Sequence, residues 1–162
     1  MNPKVGIGIA AVVIVAAIGV FVMNSDDSNP DHRSNTKEWF YDLGDKKLFA
    51  VDASTPSPVE APSGAKDADG DPGGVKAYVF GCGDCTEHFI GYLMKYSAEG
   101  KKIMDSGVEN ANREAKKFIV FRSVEDGEWV SDVSEEGSKL VRAAVTKCPN
   151  DKKIQSCNPP ND

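Results

Sequence analysis

Apolar side chains and glycines run from Val5 to Met23 without a charge, an amide side chain or a proline, 19 positions at the start of an otherwise polar chain. At about 1.5 Å of rise per helical residue the run is roughly 28 Å long, which matches the ~30 Å hydrocarbon core of a bilayer and predicts one transmembrane helix over 5–23. A cleaved signal peptide is the competing reading, since Ala17 and Gly19 stand at small-residue cleavage spacing. Cleavage there would leave Val20, Phe21, Val22 and Met23 at a new exposed terminus, so an uncleaved anchor is expected. Lys4 precedes the run, while Asp26, Asp27 and Asp31 follow it. Cationic flanks stay on the cytoplasmic side, so residues 1–4 read as a cytoplasmic stub and the rest of the chain as lying outside, on the periplasmic side.

Past the anchor the pattern breaks into short elements. Residues 24–36 are rich in Ser, Asn and Asp with no apolar period, which predicts a flexible stalk. Glu38 to Leu43 and Lys47 to Val51 flank Gly44-Asp45 and read as a β-hairpin, with Trp39, Tyr41 and Leu43 on one face and Phe40 on the other. Composition then shifts to Pro, Ser, Ala, Gly and Asp, and 52–74 is expected to be a disordered loop. A strand is predicted over Val75 to Phe80, then a helix capped by Thr86 with Phe89, Ile90, Leu93, Met94 and Tyr96 as its apolar stripe. A weaker helix is predicted over Ser97 to Val108, and a strand over Phe118 to Val124. A turn at Asp126-Gly127 leads to a return strand at Trp129-Val130. The last helix is capped by Ser134, with Leu140, Val141, Ala144 and Val145 inward. The fold class expected is α+β: a transmembrane helix, then one extracytoplasmic domain over 37–162 of β-hairpins and two or three helices around a four-cysteine site.

Charge narrows the partners. With 25 acidic against 19 basic residues the chain carries −6, and the lysine doublets are scattered, which argues against nucleic acid or anionic lipid headgroups as the main partner. Asp67, Asp69 and Asp71 begin like a calcium loop, but Pro72 and Tyr78 stand where an EF-hand needs Gly and a bidentate Glu. A solvated acidic turn is expected instead.

Cys82, Cys85, Cys148 and Cys157 are the only constellation with chemical content. A Cys-x2-Cys knuckle presents two thiolates at an angle that suits tetrahedral Zn²⁺, and the second pair would close an all-thiolate structural zinc site with these four residues as ligands. Two structural disulfides linking across the pairs are the alternative an oxidising compartment favours. A third reading takes strand, Cys-Gly-Asp-Cys and helix as a thioredoxin-like arrangement, in which a helix N-terminus lowers a thiol pKa. His88 could replace a distant cysteine as ligand, although a first-turn helix residue is the plainer reading. Thr86 after Cys85 excludes covalent haem attachment, and His32 lies in the stalk, so no catalytic residues are assigned.

Trp39-Phe40-Tyr41-Asp42-Leu43, Leu48-Phe49-Ala50, and Gly74 to Phe80 leading to Cys82-Gly83-Asp84-Cys85 resemble a group of uncharacterised planctomycete single-pass membrane proteins with a four-cysteine ectodomain. Phe89 to Tyr96, Glu128-Trp129-Val130 and the tail with Cys148 and Cys157 extend the resemblance from about Trp39 to Pro159. It implies a cell-envelope location and a shared domain, and it implies no activity. The function expected is a membrane-anchored structural or interaction module whose cysteines are structural and whose partner is another envelope protein or a wall component. The alternative is a tethered thiol-disulfide oxidoreductase using Cys82 and Cys85.

Overall fold

Aromatic and β-branched residues around a polar turn dictate the first element pair. In the computed structural model, which describes residues 36–125, 127–149 and 151–160, β1 (Lys37–Asp42) and β2 (Lys47–Asp52) pair antiparallel with Tyr41 opposite Leu48. The remaining strands are β3 (Gly74–Cys82), β4 (His88–Tyr96), β5 (Ile119–Arg122), β6 (Val130–Ser131) and β7 (Ile154–Ser156). They form one sheet in the order β2-β1-β3-β4-β5-β6, and every pairing described is antiparallel. One edge of β3 serves two partners: Gly74 to Lys76 pair with β1, and Phe80 to Cys82 pair with β7. That shared edge brings the C-terminal tail beside the Cys82 knuckle.

Alternation places Tyr41, Val75, Ala77, Val79 and Leu93 on one face, where Cys157 joins them and Trp39, Leu43, Leu48, Ile90, Val124 and Trp129 pack around. Each large side chain fully buried there contributes about 1.5–3 kcal/mol of hydrophobic stabilisation. The hairpin faces are therefore as the alternation predicts, with Phe40 on the opposite side against Phe49. That second face is also apolar. Tyr78 stacks on Tyr92 at 4.5 Å, and Tyr92 meets Phe121 at 4.8 Å.

Among the described residues three α-helices complete the α+β fold: α1 (Ala98–Asp105), α2 (Ala111–Ala115) and α3 (Glu135–Val145). Ser134 caps α3 as the sequence indicates and Ser97 does the same for α1, each accepting a hydrogen bond from the amide three residues on; the Ser97 cap is a finding of the structure. α3 crosses the sheet at Gly91, where a Cβ would lie 2.7 Å from that of Ala144. Ala144 is buried, but Val145 is exposed rather than inward.

Three expectations need correction. Residues 88–96 are strand, not helix. Both faces of β4 are covered, so apolar residues occupy both parities. In addition Tyr78 pairs with Tyr92 and Val79 with Ile90, leaving Gly91 as the extra residue of a bulge. The bulge breaks the period of two, and 89, 90, 93 and 94 come out at helical spacing. The segment 52–74 is ordered: Val59 bridges Gly74, and Ser57 is buried with its hydroxyl donating to the Met94 carbonyl at 2.9 Å. Finally, the connection from β5 to β6 is a longer loop over 123–129, not a two-residue turn, and Asp126 lies outside the described residues. The expected stub, transmembrane helix and stalk, apart from Thr36, also lie outside them. Among the described residues no helix is long and apolar enough to cross a membrane.

Candidate functional site

The knuckle forms where β3 ends. Gly81 turns so tightly that a Cβ would lie on the Asp84 carbonyl oxygen, and Gly83 adopts φ +90°, a left-handed conformation open to glycine. Its N–H donates to the Lys153 carbonyl at 2.7 Å. The hydroxyl and amide of Thr86 both donate to Asp84, which holds that carboxyl below its usual range. Thr86 thus closes a turn rather than capping a helix.

This geometry brings all four predicted cysteines together, as two disulfides. Cys82 bonds Cys148 with Cα atoms 5.4 Å apart, and Cys85 bonds Cys157 at 5.6 Å; no cysteine is free. The zinc expectation is corrected here, because a tetrahedral thiolate site needs four deprotonated sulfurs and these are bonded to one another. The pairing runs across the two sequence pairs, as the disulfide alternative anticipates. A strand follows Cys85, so the helix dipole that would lower a thiol pKa does not stand there. Gln155 Nε2 donates to the exposed Cys85 sulfur at 3.3 Å, whereas Cys157 is buried in the core at 4% exposure. The His88 ring stacks on Trp39 at 6.5 Å, and the sulfurs it was weighed beside as a ligand are bonded to one another.

Lys95 organises a second cluster that the sequence alone does not reveal. Its side chain is 3% exposed, and its ammonium donates to Asp67 at 2.5 Å, Asp71 at 3.1 Å and Asp69 at 3.3 Å. An ammonium has three N–H donors, so its capacity is filled. Asp67, 2% exposed, also accepts the backbone N–H groups of Asp69 and Asp71 on its other oxygen. Burial alone would pull the Lys95 ammonium down, but the hydrogen bonds and charges of the three aspartates outweigh it and raise its pKa. Trp129 lies over the same ammonium at 5.1 Å. Of the alternating carboxylates expected to form a solvated turn, Asp67 and Asp71 are instead turned in on Lys95, while Asp69 is 67% exposed. A lysine within the apolar run Leu93-Met94-Lys95-Tyr96 was the available signal.

Asp42 ties the hairpin to the long loop. It is buried, and its carboxylate accepts from the amides of Gly44, Asp45 and Ser63 and from the Ser63 hydroxyl at 2.6 Å. Burial raises this carboxyl, yet the four hydrogen bonds together hold it below the ordinary value.

An open cleft of about 470 Å³ is lined by Tyr41, Lys46, Lys47, Leu48, His88, Phe89 and Ile90. Its walls are apolar and its rim is cationic, within a chain of net charge −6. Among the described residues neither Lys46 nor Lys47 has an ion-pair partner. The volume lies in the range of small-ligand and peptide side-chain sites. No known protein family, curated protein or solved structure matches the chain.

Proposed function

We propose that the chain is a membrane-anchored extracytoplasmic module that binds another envelope protein or a wall component, with cysteines that are structural. The observation that carries this reading is the pair of disulfides joining the Cys82 knuckle to the C-terminal tail. Disulfides form and persist in oxidising compartments, which agrees with the orientation drawn from Lys4 and the acidic residues after Met23. The resemblance to planctomycete envelope proteins points the same way.

The reading as a binding module rests on how the reactive groups are used. The thiols are bonded in pairs, the acidic triad holds Lys95, and Asp42 is saturated by hydrogen bonds. Among the described residues, the cleft offers apolar walls beside two lysines that make no ion pair, which is chemistry suited to recognition. A protease applied to intact spheroplasts tests the location, and it is expected to remove the domain. Protection until lysis would place the domain on the other side. An insulin-reduction assay tests the role of the cysteines. No turnover is expected, whereas turnover that vanishes in Cys82→Ser with the fold retained would establish the oxidoreductase instead.

A further inference from the structure

We propose that the outer edge of β2 and the cleft beside it bind an extended acidic peptide by strand addition, a partner class that rests on the binding-module reading above. Two independent features of the fold converge on it.

The first is an open edge. Among the described residues β2 pairs only with β1, and it carries neither a proline nor a bulge, with charge confined to Lys47 and Asp52 at its ends. The Ala53 N–H donates to the Thr36 carbonyl, and the Leu43 N–H donates to the Gly73 carbonyl across β1 and β3. Those two bonds fix the alternation of the ladder, so the main chains of Leu48, Ala50 and Asp52 face away from β1. The Asp52 carbonyl is taken by the Thr55 N–H, while Leu48 and Ala50 present both a donor and an acceptor to an incoming strand. A row of unpaired groups on an edge strand is a template for another chain.

The second is charge and shape beside that edge. Leu48 belongs both to the edge and to the cleft wall, so a residue added opposite it projects to the same face as Tyr41 and Ile90. Lys46 and Lys47 are exposed at the start of β2, in a chain whose net charge is −6. An antiparallel peptide therefore places its C-terminal residues at these lysines, and carboxylates there complement them.

The test uses the full chain in mild detergent with the fluorescein-labelled peptide Thr-Val-Thr-Val-Glu-Asp-amide, read by anisotropy and by hydrogen exchange. Binding is expected, with slowed exchange at the Leu48 and Ala50 amides. Replacing Lys46 and Lys47 by Glu should weaken it about tenfold or more, the order expected for two screened charge pairs. Ala50→Pro should abolish it, because it removes an outward donor while leaving the bonds to β1 in place. Should Ala50→Pro fail to fold, the lysine variants and a peptide ending in Lys-Lys still decide the matter. No binding, equal binding of the Lys-Lys peptide, or protection at other amides would overturn the inference. So would protection at Leu48 and Ala50 without peptide in a chain that sediments as a dimer, which would assign the edge to a second copy. Any of these outcomes leaves the location and thiol tests of the binding-module reading intact, so the two failures are distinguishable.

Discussion

Removing the disulfides one at a time and together should reveal that the two crosslinks share one closed loop. Cys82–Cys148 spans 66 residues and Cys85–Cys157 spans 72. In the chain-entropy treatment either bond alone restricts the unfolded chain by about 4 kcal/mol. The second bond adds less, because the first already holds its ends close. From Cys85 to Cys157 through the Cys82–Cys148 bond the path is only about 12 residues, which corresponds to about 3 kcal/mol. Cys82→Ala/Cys148→Ala should therefore cost about 3 kcal/mol with the other bond intact. Cys85→Ala/Cys157→Ala should cost about 1 kcal/mol more than that, since Cys157 also leaves a gap in the core. Removing all four sulfurs should cost about 7 kcal/mol before that gap is counted, more than the two separate losses combined. Losses of this size rival the whole stability of a small domain. Guanidinium unfolding followed by the fluorescence of Trp39 and Trp129 measures all three variants. A quadruple variant within about 2 kcal/mol of either double variant would refute the coupled-loop reasoning.

Lys95→Met should destabilise the domain by about 3–5 kcal/mol, because it leaves the buried Asp67 carboxylate without its cation; thermal melting at neutral pH checks it. The folded pKa of Lys95 is raised, so its contribution is fully present below the ordinary lysine value of 10.5 and is lost as pH rises through the higher folded value. A melting temperature that falls between pH 6 and 9 in the wild type and not in Lys95→Met would contradict that assignment. Asp42 has the opposite sign: its folded pKa is lowered, so its contribution is present above the ordinary 3.8 and is lost as pH falls through the folded value. Asp42→Ala should cost about 2–4 kcal/mol at pH 7 and much less in acid at pH 2, measured by urea unfolding at both values. Calcium should leave the melting temperature unchanged, since Lys95 already holds Asp67, Asp69 and Asp71, and a clear calcium-dependent rise would show that the ammonium yields the site.

The extent to which the chain announces its fold varies with how local each determinant is. The Trp39 to Val51 hairpin, the Ser134 cap and the strand after Gly74 depend on residues within a few positions, and they were legible. β4 was not, because a bulge opposite Tyr78 and Val79 and apolar cover on both faces erased its alternation. The order of 52–74 is equally invisible in its composition. It comes from distant partners: Ser57 bonds the β4 carbonyl of Met94, Ser63 bonds Asp42, and Asp67 bonds Lys95. Spacing brought the four cysteines to notice but could not distinguish a metal from two bonds, since both need the sulfurs to converge. Which sulfurs meet is decided by β7 docking on Phe80 to Cys82, a pairing some 70 residues long-range in the chain.

Mapping the sulfur chemistry of the native protein separates two crossed disulfides from a thiolate metal site. Cells should be quenched with an alkylating agent, and the protein purified from a whole-cell detergent extract, digested without reduction and analysed by mass spectrometry alongside its zinc content. The expected result is Cys82 linked to Cys148 and Cys85 linked to Cys157, with no alkylated cysteine and no bound zinc. Four alkylated thiols with stoichiometric zinc, or a bridge joining Cys82 to Cys85, would contradict it.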